Sequence, residues 1–311
     1  MIAALAGGVG AAKFLDGLVR VVDPSTTTAI VNVADDEHFH GLHVSPDLDS
    51  VTYMLGGVNN LELGWGRAGE TFRTVDELAR FGAPTWFRLG DLDLATHIHR
   101  TERLRQGASL STVTAEITAG FAIAATILPV SDDPIRTRII TGSSASPVDL
   151  AMQEWFVRDR CQPTVLDVRF DGADTARPAP GVIAALEQAE SIVICPSNPV
   201  ISIGPILAVP GVTDVLTRRR HKVVAVSPII GGAPVKGPAD KLMAPLGIEV
   251  SALGVARHYR EFCSAIVIDR VDDEQRSDIE ALGMRAVVTE TLMRDSDVAA
   301  DLARTALAAI A

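Results

Sequence analysis

Apolar and polar positions along the chain alternate between two periods, one typical of buried strands and one typical of helices. Runs in which nearly every residue is apolar indicate strands buried on both faces. Seven runs fit strands, at residues 2–6, 27–33, 164–170, 191–196, 222–228, 265–270 and 284–290. Segments with helical spacing follow three of them, at 181–189, 212–220 and 273–283. This alternation predicts an α/β fold with a doubly wound, mostly parallel, Rossmann-like sheet.

The stretch from about residue 60 to 160 departs from that rhythm. It contains two helix-like segments, ATHIHRTERLRQG (95–107) and STVTAEITAGFA (111–122). The β-like runs ATILPV (125–130) and IRTRIIT (135–141) follow, and their closeness suggests a hairpin. We therefore expect a single Rossmann-like domain over residues 1–311, with an inserted, largely helical cap at about 60–160.

Composition narrows the class of protein. Hydrophobic residues make up 47% of the 311 residues, which is enough for a large core. The formal net charge of -11 argues against nucleic acid or an anionic membrane as the main partner. Cys161, Cys195 and Cys263 form neither a disulfide framework nor a metal-binding pair by spacing, which suits a reducing compartment. With neither a signal-peptide pattern nor a membrane-spanning apolar run, a cytoplasmic protein is expected.

The first strand ends in glycine, at MIAALAGGVGAAK. Gly7, Gly8 and Gly10 lead into a helix-like segment that carries Lys13. Glycine lets the backbone approach a ligand closely, and the N-terminus of a helix attracts anions. The pattern matches neither G-x-G-x-x-G nor the Walker sequence. A phosphate cradle and a plain tight turn therefore both remain open.

Four aspartates cluster after the second predicted strand, where open α/β sheets bind their ligands. Asp35, Asp36, Asp47 and Asp49 fall within fifteen residues. Packed carboxylates repel one another unless a cation lies among them, and oxygen ligands of this type suit Mg²⁺. Asp35, Asp36 and Asp47 are therefore candidate metal ligands. The alternative is a solvated acidic loop in which Asp47 caps a helix over 48–55.

The histidines suggest a different metal. Their spacing, H-x-H-x-x-H and then H-x-H, resembles the ligand sets of zinc hydrolases. The five residues concerned are His38, His40, His43, His97 and His99. Neither an H-E-x-x-H motif nor a cysteine partner accompanies them, so a zinc hydrolase stands as a further alternative, which metal analysis would test.

Other loops add groups that can bind anions. Arg88, after a short apolar run, can hold a phosphate or a planar acceptor through two parallel hydrogen bonds. Ser197, Asn198 and Lys241 lie in loops rich in glycine, serine and proline that follow two further predicted strands. Together with the glycine loop after the first predicted strand, they make three such loops at three strand ends, which are hard to explain as turns alone.

In combination, these motifs resemble the 2-phospho-L-lactate transferase family of coenzyme F-420 biosynthesis. The segments that carry the resemblance are AGGVGAAKFLDGL, NVADDEHFHGLHVSPDLDSVTYMLGG, WFRLGDLDLATHIHRT, LPVSDDPIRTRI, CPSNPVISIGPIL and SPIIGGAPVKGPADK. They run from residue 1 to about residue 243, so the resemblance covers most of the chain.

The resemblance implies a Mg²⁺-dependent transferase. It would move a phospho-three-carbon acid, of the 2-phospholactate or phosphoenolpyruvate type, from a guanosine diphospho donor to the ribityl hydroxyl of the deazaflavin Fo, with release of GMP. Asp49 and Arg88 match the family's Fo-binding pair, and Asp36 and Asp49 are the candidate catalytic residues. The donor nucleotide is expected at Gly7, Gly8, Val9, Gly10, Lys13, Ser197, Asn198 and Lys241.

A sister family with the same fold offers the alternative function, a non-catalytic regulator that binds UDP-sugars. Val33-Ala34 and Ser45 depart from the residues that are frequent in the transferase family, which leaves the geometry of the acidic loop open. We expect small-molecule substrates, no nucleic-acid or membrane partner, and a homodimer.

Overall fold

The computed structural model describes residues 1–310, which form fourteen strands, twelve α-helices and six short 3-10 or π-helical segments, among them Pro199–Ile203. Strands β1 to β14 are Ile2–Ala6, Thr27–Val31, Glu37–Phe39, Leu42–Val44, Thr126–Pro129, Arg136–Ser143, Ser146–Ala151, Val165–Asp171, Ser191–Ile194, Val223–Val226, Ile229–Ile230, Ala233–Pro234, Ala265–Asp269 and Arg285–Thr289. Helices α1 to α12 are Gly8–Leu18, Pro46–Leu55, Arg73–Arg80, Asp91–Arg105, Leu110–Gly120, Val182–Gln188, Gly204–Ala208, Val212–Arg218, Ala239–Met243, Ala252–Tyr259, Arg276–Ala281 and Ser296–Ala308.

Seven strands form a central parallel sheet in the order β14-β13-β10-β9-β1-β2-β5. The chain builds one side first, from β1 through β2 to β5, and then returns to place β9 on the other side of β1. The direction of winding therefore reverses between β1 and β9, which is the position where doubly wound sheets open a ligand crevice. The predicted Rossmann-like sheet is confirmed, and its order explains why the loops after β1, β2 and β9 emerge side by side.

The central strands are apolar because both of their faces are covered. All five residues of β1 (IAALA) are buried, as are those of β2 and β13. Helix α1 packs against α2 and α12. Alternation between polar and apolar positions is accordingly missing from these strands.

Two details of the predicted sheet are wrong. The run 125–130 forms β5, which joins the parallel sheet beside β2, and the run 135–141 forms β6, which pairs antiparallel with β7 and β8. The predicted hairpin between these two runs is therefore not formed. The run 164–170 does form a strand, β8, but in this second, antiparallel sheet. Its charged residues Asp167 and Arg169 suit a strand with a solvated surface rather than one buried on both faces.

The segment between β2 and β5 lies over the sheet edge and contains the hairpin β3–β4 and helices α2 to α5. Part of it has a small core of its own, formed by Phe39, Val44, Val75, Leu89 and Leu94. Helices α2 and α4 from this segment supply most of the charged side chains of the candidate site.

Within residues 1–310, no single helix is both long enough and apolar enough to cross a membrane. The helical pair Pro199–Ala208 and Val212–Arg218 reaches the required length and composition only as two segments bent by 92°.

Candidate active site

The loops after β1 and β9 contact each other at the crevice. Helix α1 begins at Gly8, whose φ of +71° is a conformation that glycine adopts without strain. Ser197 Oγ donates a hydrogen bond of 2.9 Å to the carbonyl of Gly7. Asn198 Oδ1 accepts from the N–H of Val200 at 2.9 Å and so closes the turn after β9. The glycine loop and the Ser197-Asn198 loop thus form one continuous wall.

The carboxyl group of Asp47 lies against the N-terminus of α1. Asn32 Nδ2 donates to its Oδ2 at 2.9 Å, and the nearby Gly8 N–H helps to lower its pKa. A Cβ at Gly7 would lie only 2.8 Å from the same Oδ2. A carboxyl group therefore lies beside the turn where the sequence suggests a phosphate, and the contacts of position 7 with Asp47 and Ser202 leave room only for glycine there.

Asp35, Asp36 and Asp47 form a buried acidic cluster, with only 5%, 3% and 7% of each residue exposed. Asp36 Oδ2 accepts from Ser45 Oγ at 2.8 Å and lies 2.9 Å from His43 Nε2. Asp35 Oδ1 and Asp36 Oδ1 are also buried, but neither has a hydrogen-bond partner. Two unpartnered carboxylate oxygens are costly in a protein interior unless a cation or a donor approaches them.

The raised pKa values of Asp35 and Asp47 also indicate that the acidic cluster lacks positive charge. Burial raises the pKa of Asp47 to about 7 and the charge of Asp36 adds to the rise, while the donors Asn32 and Gly8 oppose it. Burial, followed by the charges of Asp47 and Asp36, holds the pKa of Asp35 well above its ordinary value. An all-oxygen donor set with unpartnered atoms fits Mg²⁺.

A second charged cluster begins two residues further along α2, at Asp49. Arg100 donates two hydrogen bonds to the Asp49 carboxylate, the one from Nη1 at 3.2 Å. His97 lies between two carboxylates, with Nδ1 3.7 Å from Asp49 and Nε2 3.2 Å from Asp93. Tyr53 donates to Asp93 at 2.5 Å. Every one of these side chains is buried.

This second cluster contains a permanent cation, Arg100, unlike the first. Burial alone would raise the pKa of Asp93, but the neighbouring His97 and the hydrogen bond from Tyr53 bring it below its ordinary value. Asp49, Asp93 and His97 are also the three side chains of residues 1–310 whose potential metal-ligand atoms all lie within 4.8 Å of one another. The predicted trio of Asp35, Asp36 and Asp47 is not held that closely. Only one histidine enters the compact group, so the five candidate histidines do not form a common zinc site within the described residues.

Arg100 and Tyr53 were not singled out from the sequence, although a signal for Arg100 was present. Asp93, His97 and Arg100 are spaced i, i+4 and i+7 on α4, so they share one face of that helix. Their partner Asp49 lies on another helix, 51 residues before Arg100. Only the packing of α2 against α4 could therefore have revealed the cluster.

Arg88, the other expected Fo-binding residue, contacts Asp76 and Phe72 rather than Asp49. Its Nη2 is 3.3 Å from Asp76, and its guanidinium lies 4.6 Å from the centre of the Phe72 ring. Within residues 1–310, neither a hydrogen bond nor an ion pair joins Arg88 to Asp49. About half of the Arg88 side chain is exposed, which leaves its guanidinium open to a ligand.

A cavity of about 190 Å³ lies beside the glycine loop. Val9 and Lys13 of α1 line it together with residues of α2, of the segment 59–66, and Lys236 from the loop after β12. Lys241, the lysine that the sequence suggested beside Lys13, lines a different depression, and its Nζ donates to the carbonyl of Cys161 at 3.0 Å. The structure therefore brings Lys13 together with Lys236 and not with Lys241.

A family model and two relatives that match this chain are all described as transferases. The family model of 2-phospho-L-lactate transferase CofD matches residues 2–304. The chain is 44% identical over 308 residues to the phosphoenolpyruvate transferase of Streptomyces griseus, covering 98% of this chain and 97% of that protein. It is 41% identical over 297 residues to the 2-phospho-L-lactate transferase of Methanosarcina mazei, covering 96% of each.

The solved structures extend the likeness to the fold. A crystal structure of a UPF0052 family protein, BH3568 from Bacillus halodurans, matches with a TM-score of 0.66 and 15% identity, covering 97% of this chain and 98% of that one. At that level of identity, the likeness shows a shared fold and nothing about the chemistry of the site.

Proposed function

The chain belongs to the 2-phospho-L-lactate transferase CofD family of transferases, and from this premise we propose the reaction that it catalyses. It transfers a phospho-three-carbon acid from a guanosine diphospho donor to the ribityl hydroxyl of Fo. The acceptor oxygen bonds to the phosphorus that carries the three-carbon acid, and the bond from that phosphorus to GMP breaks. The product is coenzyme F-420-0 or its dehydro form.

The observation that carries this proposal is the buried acidic cluster beside the crevice between β1 and β9. A diphosphate that also bears a carboxylate brings about three negative charges, which a site must neutralise before phosphoryl-type transfer can proceed. Asp35 and Asp36, with Asp47 beside them, would hold Mg²⁺ through their unpartnered oxygens. When bound, this ion supplies charge neutralisation at the phosphates.

The remaining roles follow from the positions of the side chains. The wall of Gly7, Gly8, Ser197 and Asn198 would border the donor. Lys13, half-buried on the same helix as Gly8, would supply positive charge. No side chain is required as a nucleophile, because this reaction depends mainly on positioning and on charge.

We assign the Fo side to Asp49 and Arg88. Arg100 and His97 hold the Asp49 carboxylate in one orientation, and its oxygens have further lone pairs with which to accept a hydrogen bond. The exposed guanidinium of Arg88 would form the opposite contact with Fo. Asp36 is the candidate catalytic carboxylate on the metal side.

The test is to incubate the purified full chain with Fo, Mg²⁺ and either the enolpyruvyl or the 2-lactyl guanosine diphospho donor. We expect GMP and the F-420 product in equal amounts with at least one donor, and the ratio of the two rates identifies the acid. Chelation of Mg²⁺ and Asp36→Asn should each abolish GMP release. Asp214→Asn, which changes an exposed aspartate on α8, serves as the control. Release of no GMP from either donor would refute the transferase proposal and favour a non-catalytic, nucleotide-sugar-binding role.

A further inference from the structure

The cavity between α1, α2 and the segment 59–66 carries positive charge in an otherwise acidic chain. Lys13 and Lys236 both line it, and neither pairs with a carboxylate of the described residues. Glu62 is the acidic residue of the lining, and it forms an ion pair with neither lysine. Two ammonium groups are therefore directed at one small cavity without a counter-ion from the protein.

Lys236 is held in a position from which it can bind a ligand. Its Nζ donates one hydrogen bond, of 3.3 Å, to the carbonyl of Gly64. An ammonium has three donors, so two remain for another acceptor. Desolvation and repulsion by Lys13 both lower the pKa of Lys236, which places the two lysines within electrostatic reach of each other. An anion between them would relieve that repulsion.

The neighbouring helix terminus is partly occupied by a side chain of the protein. The carboxyl group of Asp47 lies against Gly7 and Gly8, with Oδ2 only 2.8 Å from the position of a Cβ on Gly7, so less of the first turn of α1 is open to an anion. Val9 and Lys13 extend the same helix into the cavity. The cavity is therefore the positively charged continuation of the crevice wall.

We propose that Lys13 and Lys236 form an anion clamp, which binds a negatively charged group of the guanosine diphospho donor, either phosphate or carboxylate. This inference rests on the proposed function, because that function supplies the ligand. Lys236 is the functional lysine of its loop, and Lys241, five residues later, is not. Trp65, which is 41% exposed, lines the same cavity, so its fluorescence should report occupancy.

The clamp is tested by calorimetric titration of the full chain, without Fo, with GDP and with the intact enolpyruvyl donor. Lys13→Gln and Lys236→Gln should each weaken binding about tenfold or more, because each removes a charge-assisted hydrogen bond. Lys222→Gln, which lies just before β10 at the opposite end of the sheet, is the matched control and should keep wild-type affinity. Melting temperatures establish that each variant is folded.

The two probes separate the two kinds of anion. An equal loss with GDP and with the intact donor assigns the clamp to phosphate, and a loss with the donor alone assigns it to the carboxylate of the three-carbon acid. The clamp would be overturned if both Lys13→Gln and Lys236→Gln kept wild-type affinity. It would also be overturned if Lys241→Gln lost affinity while Lys236→Gln did not. The clamp would be overturned as well if neither GDP nor the intact donor bound to the wild-type chain. Failure of the transferase proposal gives a different result, in which the donor binds but GMP is not released on addition of Fo.

Discussion

Asp47 and Asp49 lie two residues apart on the first turn of α2, yet their surroundings are opposite. Asp47 belongs to a group of buried carboxylates that lacks a cation, and burial with the charge of Asp36 raises its pKa to about 7. Asp49 has the guanidinium of Arg100 and the imidazole of His97 beside it. The first turn of α2 therefore contributes to two different clusters. The cluster of Asp35, Asp36 and Asp47 has no permanent cation and is called the incomplete cluster, and the cluster of Asp49, Asp93, His97 and Arg100 has one and is called the complete cluster.

The difference indicates which of the two clusters lacks a cation. A buried carboxylate that has its own cation is part of the folded structure, and removal of the cation should damage the fold. A buried carboxylate without one favours whatever brings positive charge, which under our proposal is Mg²⁺.

The largest effect is expected when the complete cluster is broken. Arg100→Met leaves the Asp49 carboxylate buried without its cation, and we expect it to lower the free energy of unfolding by about 3–5 kcal/mol. Urea denaturation at pH 7.5 measures the change. Arg103→Met removes an ion pair near the surface, between Arg103 of α4 and Glu116 of α5, and should cost much less than Arg100→Met. Equal losses in the two variants would show that the second cluster is not essential to the fold.

The incomplete cluster should make the metal-free protein less stable as the pH rises. The folded-state pKa values of Asp47 and Asp35 exceed the ordinary value, so the folded protein binds more protons than the unfolded chain between about pH 4 and pH 7. Their contribution is most favourable below about pH 4 and is lost as the pH rises through each folded-state pKa, which for Asp47 is about 7. The slope reaches about 1.4 kcal/mol per pH unit for each carboxyl.

Asp47→Asn tests this effect, since it removes one titrating group and also the charge that helps to raise the pKa of Asp35. In unfolding experiments with a chelator present, the variant should lose less stability than the wild type between pH 5 and pH 7. Asp214→Asn should retain the wild-type slope. Identical slopes for wild type and Asp47→Asn would place the acidic cluster in a far more polar environment than the structure indicates.

The smallest effect on stability is expected at Arg88. Its side chain is half exposed and its ion pair with Asp76 is weak, so Arg88→Ala should change the free energy of unfolding by less than about 0.5 kcal/mol. The same variant should raise KM for Fo about tenfold while KM for the donor stays near wild type. Steady-state kinetics with each substrate varied in turn provides the measurement. An unchanged KM for Fo would remove Arg88 from the acceptor site.

The sequence located secondary structure best where a strand is buried on both faces, because such a strand needs a continuous run of apolar residues. Such runs located β1, β2, β9, β10, β13 and β14. The partner of a strand is not encoded locally, and for this reason β5 and β8 were placed wrongly. The same limit applies to the site. The acidic loop was visible as a cluster of aspartates, but the pairing of Asp49 with Arg100 depends on the contact between two helices.

The choice between Lys236 and Lys241 illustrates this limit at the scale of one loop. Both lysines follow the same glycine-rich turn and have the same chemistry. Only the path of the chain after β12 brings Lys236 to Gly64 and directs Lys241 towards Cys161. A spacing rule could not have separated them.

Titration of Mg²⁺ into the full chain, followed by calorimetry without substrates, tests the contrast between the two clusters most directly. The measurement compares the wild type with Asp36→Asn in the acidic cluster, and with Asp93→Asn and His97→Gln in the complete cluster. We predict that Asp36→Asn abolishes Mg²⁺ binding and that Asp93→Asn and His97→Gln retain it, because of the two clusters only the acidic one has fully buried carboxylate oxygens without a hydrogen-bond partner. Binding that survives Asp36→Asn but is lost in both Asp93→Asn and His97→Gln would place the metal at Asp49, Asp93 and His97, and would contradict this account.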